Sequence, residues 1–320
     1  MYNIDAFLKL HNDLLNVPKD IISEATIQNK WFTVPFIENS LSAISNDMLD
    51  KTKLEKWLSS YPSKEISGKK IALIMAGNIP LVGFADLLAV LILKGTAYFK
   101  TSSKDCVLMN WVINKLKEYG CKIEPYNSNY EYDAVIATGG DIASKIFAKK
   151  YKNIPALIRG SRTSIAVIDR TLASRQLEGL WHDVFDYGGL GCRNVSHLLI
   201  RRNIGLDSIV ESWKKYKAPL TCFKNSYLQK KAILTINNTS FIDGGYFLLQ
   251  ETLNSGVASL GEITYSFYDT YEEKDDFINQ RKETLQCIVG DGQIEYGNTQ
   301  RPSLNEWADG IDTINFLQNL

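Results

Sequence analysis

Short apolar runs alternate with amphipathic stretches through the first half of the chain. Three of these runs have strand length and end in glycine or small polar residues: KKIALIMAG, TAYFKTS and YDAVIATGG. The stretches after them have apolar residues at three- and four-residue spacing, which predicts helices in FADLLAVLILKG, KDCVLMNWVINKLKEYG and DIASKIFAKKY. This strand–helix order predicts βαβ units, and therefore a parallel sheet with helices on both faces.

Ligands of such sheets bind beyond the carboxyl ends of the strands. Here the strand ends carry AGNIP, KTSSK and TGGD. Before this region, IDAFLKLHNDLL and SNDMLDKTKLEKWLSSY have helical periodicity, and residues 45–47 are expected to cap the second helix.

The pattern restarts near residue 160. Helical stretches and apolar strands alternate again, from RTLASRQLEGLWHDVFDY and VSHLLIRR to EITYSFY and TLQCIVGD. A length of 320 residues agrees with two domains at about 150 residues each. We therefore predict an α/β fold with a domain over residues 1–160, a second α/β domain over 161–290, and a tail over 291–320 that packs back on the first domain or on a partner chain.

Charge and cysteine content exclude several classes of function. Lys plus Arg and Asp plus Glu number 36 each, so no global basic field exists to bind nucleic acid. The longest apolar stretch contains Asp86 and ends at Lys94, which is too short and too polar for a membrane span. The N-terminus lacks the features of a signal peptide, and the five cysteines show no zinc-ligand spacing, so we expect a cytoplasmic protein without a metal.

One cysteine lies in an unusual setting. Cys192 follows Gly188, Gly189 and Gly191 in DYGGLGCRNVSHLLI. Glycines leave backbone N–H groups uncovered, so a thiol here could act as a nucleophile with its own N–H aimed at an oxyanion. From the residues alone, a buried cysteine at a tight packing corner is an equal alternative. The other four are expected to be small core hydrophobes, namely Cys106, Cys121, Cys222 and Cys287.

The order of these motifs resembles the aldehyde dehydrogenase superfamily. The closest resemblance is to its acyl-CoA reductase branch, related to the fatty-acid reductase of bacterial luminescence. It is carried by GNIPLVGFADLLAVLILKGTAYFKTSSKD, GLGCRNVS and YGNTQRPSLNEWADGIDT. The resemblance implies a Rossmann-type cofactor domain and a second α/β catalytic domain.

The resemblance also implies residue roles. Cys192 would attack an acyl-CoA thioester and expel coenzyme A, and hydride from NADPH, or from NADH, would reduce the acyl-enzyme to an aldehyde. Asn78 would supply a side-chain amide to the oxyanion hole. The residues implied to bind the cofactor are Lys100, Thr101, Ser102, Ser103, Thr138, Gly139 and Gly140.

One departure from the superfamily concerns the reaction. Hydrolytic members have a water-activating glutamate in the motif that reads ALIRGSR here, where no carboxylate is present. This favours an acylating reaction over release of a free acid. Arg159 and Arg162 are interpreted as partners of surface acids rather than of ligand phosphates, and His182 and His197 as structural.

Two other functions stay open: an inactive, dehydrogenase-like binding subunit, and an acyltransferase or thioesterase that uses the cysteine without hydride transfer. For the reductase we expect an acyl-CoA substrate, an acyl-activating or acyl-transfer enzyme as a candidate partner, and a homo-oligomer as the state suggested by the superfamily. Neither nucleic acid nor a membrane span is expected.

Overall fold

The computed structural model describes residues 3–252 and 259–320. The chain divides into two units by its internal contacts. Unit 1 comprises residues 1–161 and 301–320, and unit 2 comprises residues 162–300.

Unit 1 is built from helices around a parallel sheet. Its helices before residue 161 are α1 Ile4–Leu14, α2 Lys19–Gln28, α3 Val34–Ala43, α4 Lys51–Leu58, α5 Phe84–Ile92, α6 Cys106–Glu118 and α7 Asp141–Lys150. Its strands are β1 Lys70–Ile74, β2 Thr96–Lys100, β3 Ile123–Pro125, β4 Ala134–Thr138 and β5 Ala156–Arg159. The strands are parallel in the order β3-β2-β1-β4-β5.

Strand β1 lies at the centre of this sheet, and its carboxyl end is the candidate ligand-binding edge. Ile71, Ala72 and Leu73 of β1 are fully buried: Ile71 and Leu73 lie in the core shared with α5 and α6, and Ala72 lies in a second cluster with Tyr132 and Tyr151. Neighbouring strands β2 and β4 flank β1 on its two sides, so strand order reverses at β1. This is the topological switch point at which ligands of open α/β sheets bind.

The N-terminal helices pack against α5 and α6 through one apolar core, which includes Phe7, Leu10 and Leu54. The predicted cap of the second helix at residues 45–47 is wrong. Those residues lie in a π-helical turn, Ile44–Met48, and α4 begins later, where the Asp50 side chain accepts a hydrogen bond from the Lys53 N–H at 2.9 Å. The apolar periodicity runs through both segments, so it does not reveal this break.

Unit 2 contains a second, mostly parallel sheet. Its helices are α8 Ser174–Phe185, α9 Asp207–Trp213, α10 Thr221–Ile236 and α11 Tyr271–Asn279. Its strands are β6 Thr163–Ile168, β7 Val195–Arg201, β8 Ile242–Asp243, β9 Leu248–Glu251, β10 Glu262–Tyr268 and β11 Leu285–Val289. Their order is β11-β6-β7-β10-β9-β8, and the β8–β9 pair is antiparallel. The predicted α/β class with parallel sheets is confirmed.

The last twenty residues belong to unit 1. They end in helix α12, Thr313–Gln318, whose Ile314 and Leu317 are fully buried in the same core as the N-terminal helices. The Tyr61 hydroxyl donates to Asp312 at 2.9 Å and fastens the start of this helix.

Candidate active site

The turn that carries Cys192 joins α8 to β7 in unit 2. A 3-10 turn, Asp186–Gly189, follows α8, and Tyr187, Gly188 and Gly189 have φ values of 55°, 65° and 73°. Glycine adopts this left-handed region without strain, whereas Tyr187 adopts it at a cost and is buried. Cys192 therefore lies just before the amino end of β7.

Asn194 fixes the shape of this turn. Its side-chain oxygen accepts from the Gly191 N–H at 2.8 Å, and its amide nitrogen lies 2.9–3.3 Å from the carbonyl oxygens of Asp183, Val184 and Asp186. Only 4% of the residue is exposed. One buried amide thus joins the end of α8 to the glycine next to Cys192. The sequence interpretation did not identify Asn194; an asparagine beside a glycine-rich turn is the signal that could have done so.

Cys192 itself is half-buried. Its carbonyl oxygen accepts from the Ser164 hydroxyl at 2.8 Å, and its Sγ lies 4.0 Å from Oε1 of Gln286. The Ser164 hydroxyl is also 3.0 Å from the sulfur of Cys287. Polar groups at the amino ends of β6 and β11 therefore surround the cysteine turn.

The other cysteines divide into two pairs. Cys121 and Cys287 are buried, as predicted for small core residues. Cys106 and Cys222 are half-buried, so the same prediction is wrong for them. Cys106 opens a helix at the surface of unit 1, where its sulfur accepts a hydrogen bond from Gln28 at 2.7 Å.

A segment near residue 297 is tied to α8 behind the cysteine turn. The buried Asp183 carboxyl accepts from the N–H groups of Gly297 at 2.7 Å and Thr299 at 3.0 Å. Burial raises the pKa of Asp183, although these two N–H groups act in the opposite direction. The Arg193 guanidinium donates to the Thr299 carbonyl. The residue directly after Cys192 is therefore held by its side chain.

Both histidines of unit 2 have structural partners. His197 is fully buried on β7, where its ring nitrogens lie 2.9 Å from the hydroxyls of Thr264 and Ser266. Burial lowers the pKa of His197 to about 3, so the ring is neutral at physiological pH. His182 pairs with Asp186 at 3.0 Å, and this hydrogen bond raises the pKa of His182.

The candidate residues of unit 1 lie at one edge of its sheet. Asn78 is in the loop after β1, Lys100 ends β2, and Thr138 ends β4. Because β2, β1 and β4 are adjacent and parallel, their carboxyl ends lie side by side. The structure therefore brings these residues to a common edge, and Cys192 lies in the other unit.

Two loops at this edge are in close contact. A Cβ on Gly77 would lie 2.5 Å from the Cβ of Ser102, so only glycine fits there. Asp105, at the end of the second loop, accepts a hydrogen bond from the Leu81 N–H at 2.7 Å. The loops that carry Asn78 and Ser102 are thus packed together. The sequence interpretation did not identify Asp105.

The third loop opens a helix. Gly139 and Gly140 connect β4 to α7, and Gly140 is the N-cap residue. It has no side chain to cap the first N–H groups of the helix, which favours an anion at this terminus. Ile142 and Ile146, one turn apart on α7, are 80% and 58% exposed and provide apolar surface beside it.

Arg159 ends β5, in the motif ALIRGSR. It pairs with an acid, Asp86, at 2.7 Å, but at 3% exposure it is buried rather than on the surface as predicted. Its guanidinium also donates to the Ala308 carbonyl and to the Thr313 hydroxyl. Arg159 therefore anchors the C-terminal segment of unit 1. Arg162 donates to the Leu285 carbonyl at 3.1 Å.

Two features are absent from the part of the chain that the structure describes. Over residues 3–252 and 259–320, no helix has the length and apolar character needed to cross a membrane. The same residues contain no group of three or more His, Cys, Asp or Glu side chains arranged to hold a metal ion.

Known proteins resemble this chain in sequence. It is 23% identical to the long-chain acyl-protein thioester reductase 2 of Photobacterium leiognathi, over 65% of this chain and 49% of that protein. It is 24% identical to the long-chain acyl-protein thioester reductase of Aliivibrio fischeri, over 69% of this chain and 52% of that protein. The chain thus spans about half the length of the curated relatives it matches.

Solved structures share its fold. An indole-3-acetaldehyde dehydrogenase in complex with NAD+ superposes with a TM-score of 0.67 at 13% identity, covering 88% of this chain and 74% of that one. The predicted aldehyde-dehydrogenase-like fold is confirmed by this similarity. Residues 23–211, more than half of the chain, match the acyl-CoA reductase (LuxC) family. The chain belongs to the acyl-CoA reductase (LuxC) family.

Proposed function

We propose that this protein reduces an acyl thioester, such as acyl-CoA, to an aldehyde with a nicotinamide cofactor. The Cys192 thiolate attacks the thioester carbonyl carbon, a new carbon–sulfur bond forms, and the bond to the departing thiol breaks. A bound, reduced nicotinamide supplies the hydride that converts the acyl-enzyme to aldehyde and returns the thiolate. The observation that carries this proposal is the half-buried Cys192 on a turn fixed by Asn194.

The contacts of the cysteine turn support nucleophilic chemistry. The Asn194 and Ser164 hydrogen bonds hold the backbone on both sides of Cys192 while its sulfur stays partly accessible. A fixed backbone N–H at the nucleophile can donate to a developing oxyanion without reorganisation. We assign the second donor to the Asn78 side-chain amide.

The loops of unit 1 fit a dinucleotide. The helix N-terminus after Gly140 suits the pyrophosphate, and glycines permit close backbone approach. We assign nucleotide binding to this edge, through Lys100, Thr101, Ser102, Ser103, Thr138, Gly139 and Gly140. The cation and hydroxyls at residues 100–103 favour NADPH over NADH, since they could bind a 2′-phosphate.

The position of Arg159 bears on the fate of the acyl-enzyme. The ALIRGSR motif presents a buried guanidinium that is engaged by Asp86 and the C-terminal segment. No carboxylate in this motif can activate water, so the acyl-enzyme should await hydride or a thiol rather than hydrolyse.

The test uses long-chain acyl-CoA, NADPH and two matched variants. Cys192→Ser should abolish covalent acylation, detected by intact-mass spectrometry, and NADPH consumption. Cys222→Ser alters a half-buried sulfur on α10, outside the cysteine turn, and should keep both. A Cys192→Ser variant with full activity would refute the nucleophile assignment.

The same assay separates the alternatives. Acylation of Cys192 without consumption of NADPH or NADH would favour an acyltransferase or thioesterase. No acylation from either a CoA or a carrier-protein thioester would favour a binding subunit. Asn78→Ala should lower the rate of acylation about 10²–10³-fold, as expected for loss of one oxyanion donor.

A further inference from the structure

Asp105 is a buried carboxyl group for which the proposed mechanism has no use. It is 3% exposed and precedes α6, at the N-cap position. An aspartate there usually accepts from the first turn of its own helix. Asp105 makes no such bond, and its Oδ2 instead accepts from the Leu81 N–H at 2.7 Å. Its Oδ1 has no hydrogen-bond partner among the described residues.

The bond from Leu81 joins two loops of the candidate cofactor edge. Leu81 has φ 56°, a left-handed conformation that is unfavourable for leucine and needs support from its surroundings. Its loop also carries Asn78. Asp105 ends the loop that carries Ser102 and Ser103, and its N–H donates to the Ser102 carbonyl at 3.1 Å. A Cβ on Gly77 would also lie 3.1 Å from the Asp105 Cβ.

The surroundings of Asp105 favour its neutral form. Loop 75–83 contributes no titratable side chain, and the end of α2 contributes only the amides Gln28 and Asn29, which bond to residues 103, 104 and 106. Along its own loop, Lys104 is exposed and Cys106 accepts from Gln28. Burial raises the pKa of Asp105 to about 8, against the opposing effect of the Leu81 N–H.

We propose that Asp105 is a positioning residue for the candidate site: its neutral carboxyl holds the Asn78 loop against the Ser102 loop, and ionisation separates them. An ionised Asp105 would leave a charged oxygen buried without a partner, which is relieved when the loops open and water reaches it. That these loops bind the cofactor rests on the proposed function, whereas the effect of Asp105 on the contact between them does not.

The test compares two aspartate-to-asparagine variants. Asp105→Asn keeps an acceptor for Leu81 and cannot ionise. Asp133→Asn is the matched control, because Asp133 also accepts a backbone N–H, from Lys70 at 2.8 Å, but is partly exposed and lies at the opposite end of β1. Hydrogen exchange of the peptide containing Leu81 is measured in the full chain from about pH 7 to 9.5, and rates are corrected for the intrinsic pH dependence of exchange.

In the wild type and in Asp133→Asn, protection of this peptide should fall above pH 8, by up to about tenfold per pH unit. In Asp105→Asn it should change less than about twofold over the range. Protection that falls equally in Asp105→Asn, or that stays constant in the wild type, would overturn the positioning role.

NADPH binding by fluorescence, over the same pH range, separates this inference from the proposed function. Binding should weaken above pH 8 in the wild type and stay constant in Asp105→Asn. If NADPH fails to bind at any pH while exchange behaves as expected, the cofactor assignment fails and the role of Asp105 in the loops stands. If NADPH binds without an Asp105-dependent pH effect on exchange, the positioning role fails and the cofactor assignment stands.

Discussion

Replacing Asn194 by alanine should loosen the cysteine turn and destabilise unit 2. The change removes one acceptor, for the Gly191 N–H, and one amide that contacts three carbonyl oxygens at the end of α8. A typical hydrogen bond contributes about 1 kcal/mol net, and a buried group left unpaired costs about 1–3 kcal/mol. Since Asn194 is nearly fully buried, we expect a loss of about 3 kcal/mol in the free energy of unfolding.

Urea unfolding followed by tryptophan fluorescence and by circular dichroism measures this loss, because Trp213 is buried in unit 2. Asn279→Ala is the control: Asn279 is exposed at the end of α11 and should change stability by less than about 0.5 kcal/mol. The rate at which iodoacetamide alkylates Cys192 should also change in Asn194→Ala, since the turn is no longer fixed. A loss below about 1 kcal/mol, with unchanged alkylation, would refute the role of Asn194.

Three further predictions concern the stability of the two units. Folding lowers the pKa of His197 to about 3, so between about pH 6.5 and 3 only the unfolded chain binds this proton. From pH 7 to 5 the free energy of unfolding, measured with urea, should therefore fall by about 2 kcal/mol more in the wild type than in His197→Gln. Arg159→Met should lower the free energy of unfolding by about 3–5 kcal/mol, because Asp86 is left without its buried partner. The double variant with Asp86→Asn should recover part of this loss, and equal losses in the single and the double variant would contradict this reasoning. Gly179→Ala should lower the melting temperature, because its Cβ would lie 2.6 Å from the Tyr296 carbonyl oxygen, and an unchanged melting temperature would exclude that clash.

Local pattern was sufficient to predict the central strands of the first sheet and the helices between them. Strand-length apolar runs ending in glycine correspond to β1 and β4, and the amphipathic stretches between them correspond to helices. Parallel order follows from the alternation, because a helical crossover returns the chain in the same direction. The edge that carries Asn78, Lys100 and Thr138 was predictable for the same reason.

Long-range pairing was not predictable from spacing. Asp105 and Leu81, Asp183 and Thr299, and Arg159 and Asp86 join residues 24, 116 and 73 positions apart. Each contact forms because the packing of the whole unit brings the two residues together. The burial that raises the pKa of Asp105 and makes Arg159 a buried anchor arises in the same way, because desolvation depends on all the atoms around a group and no local pattern of residues records them.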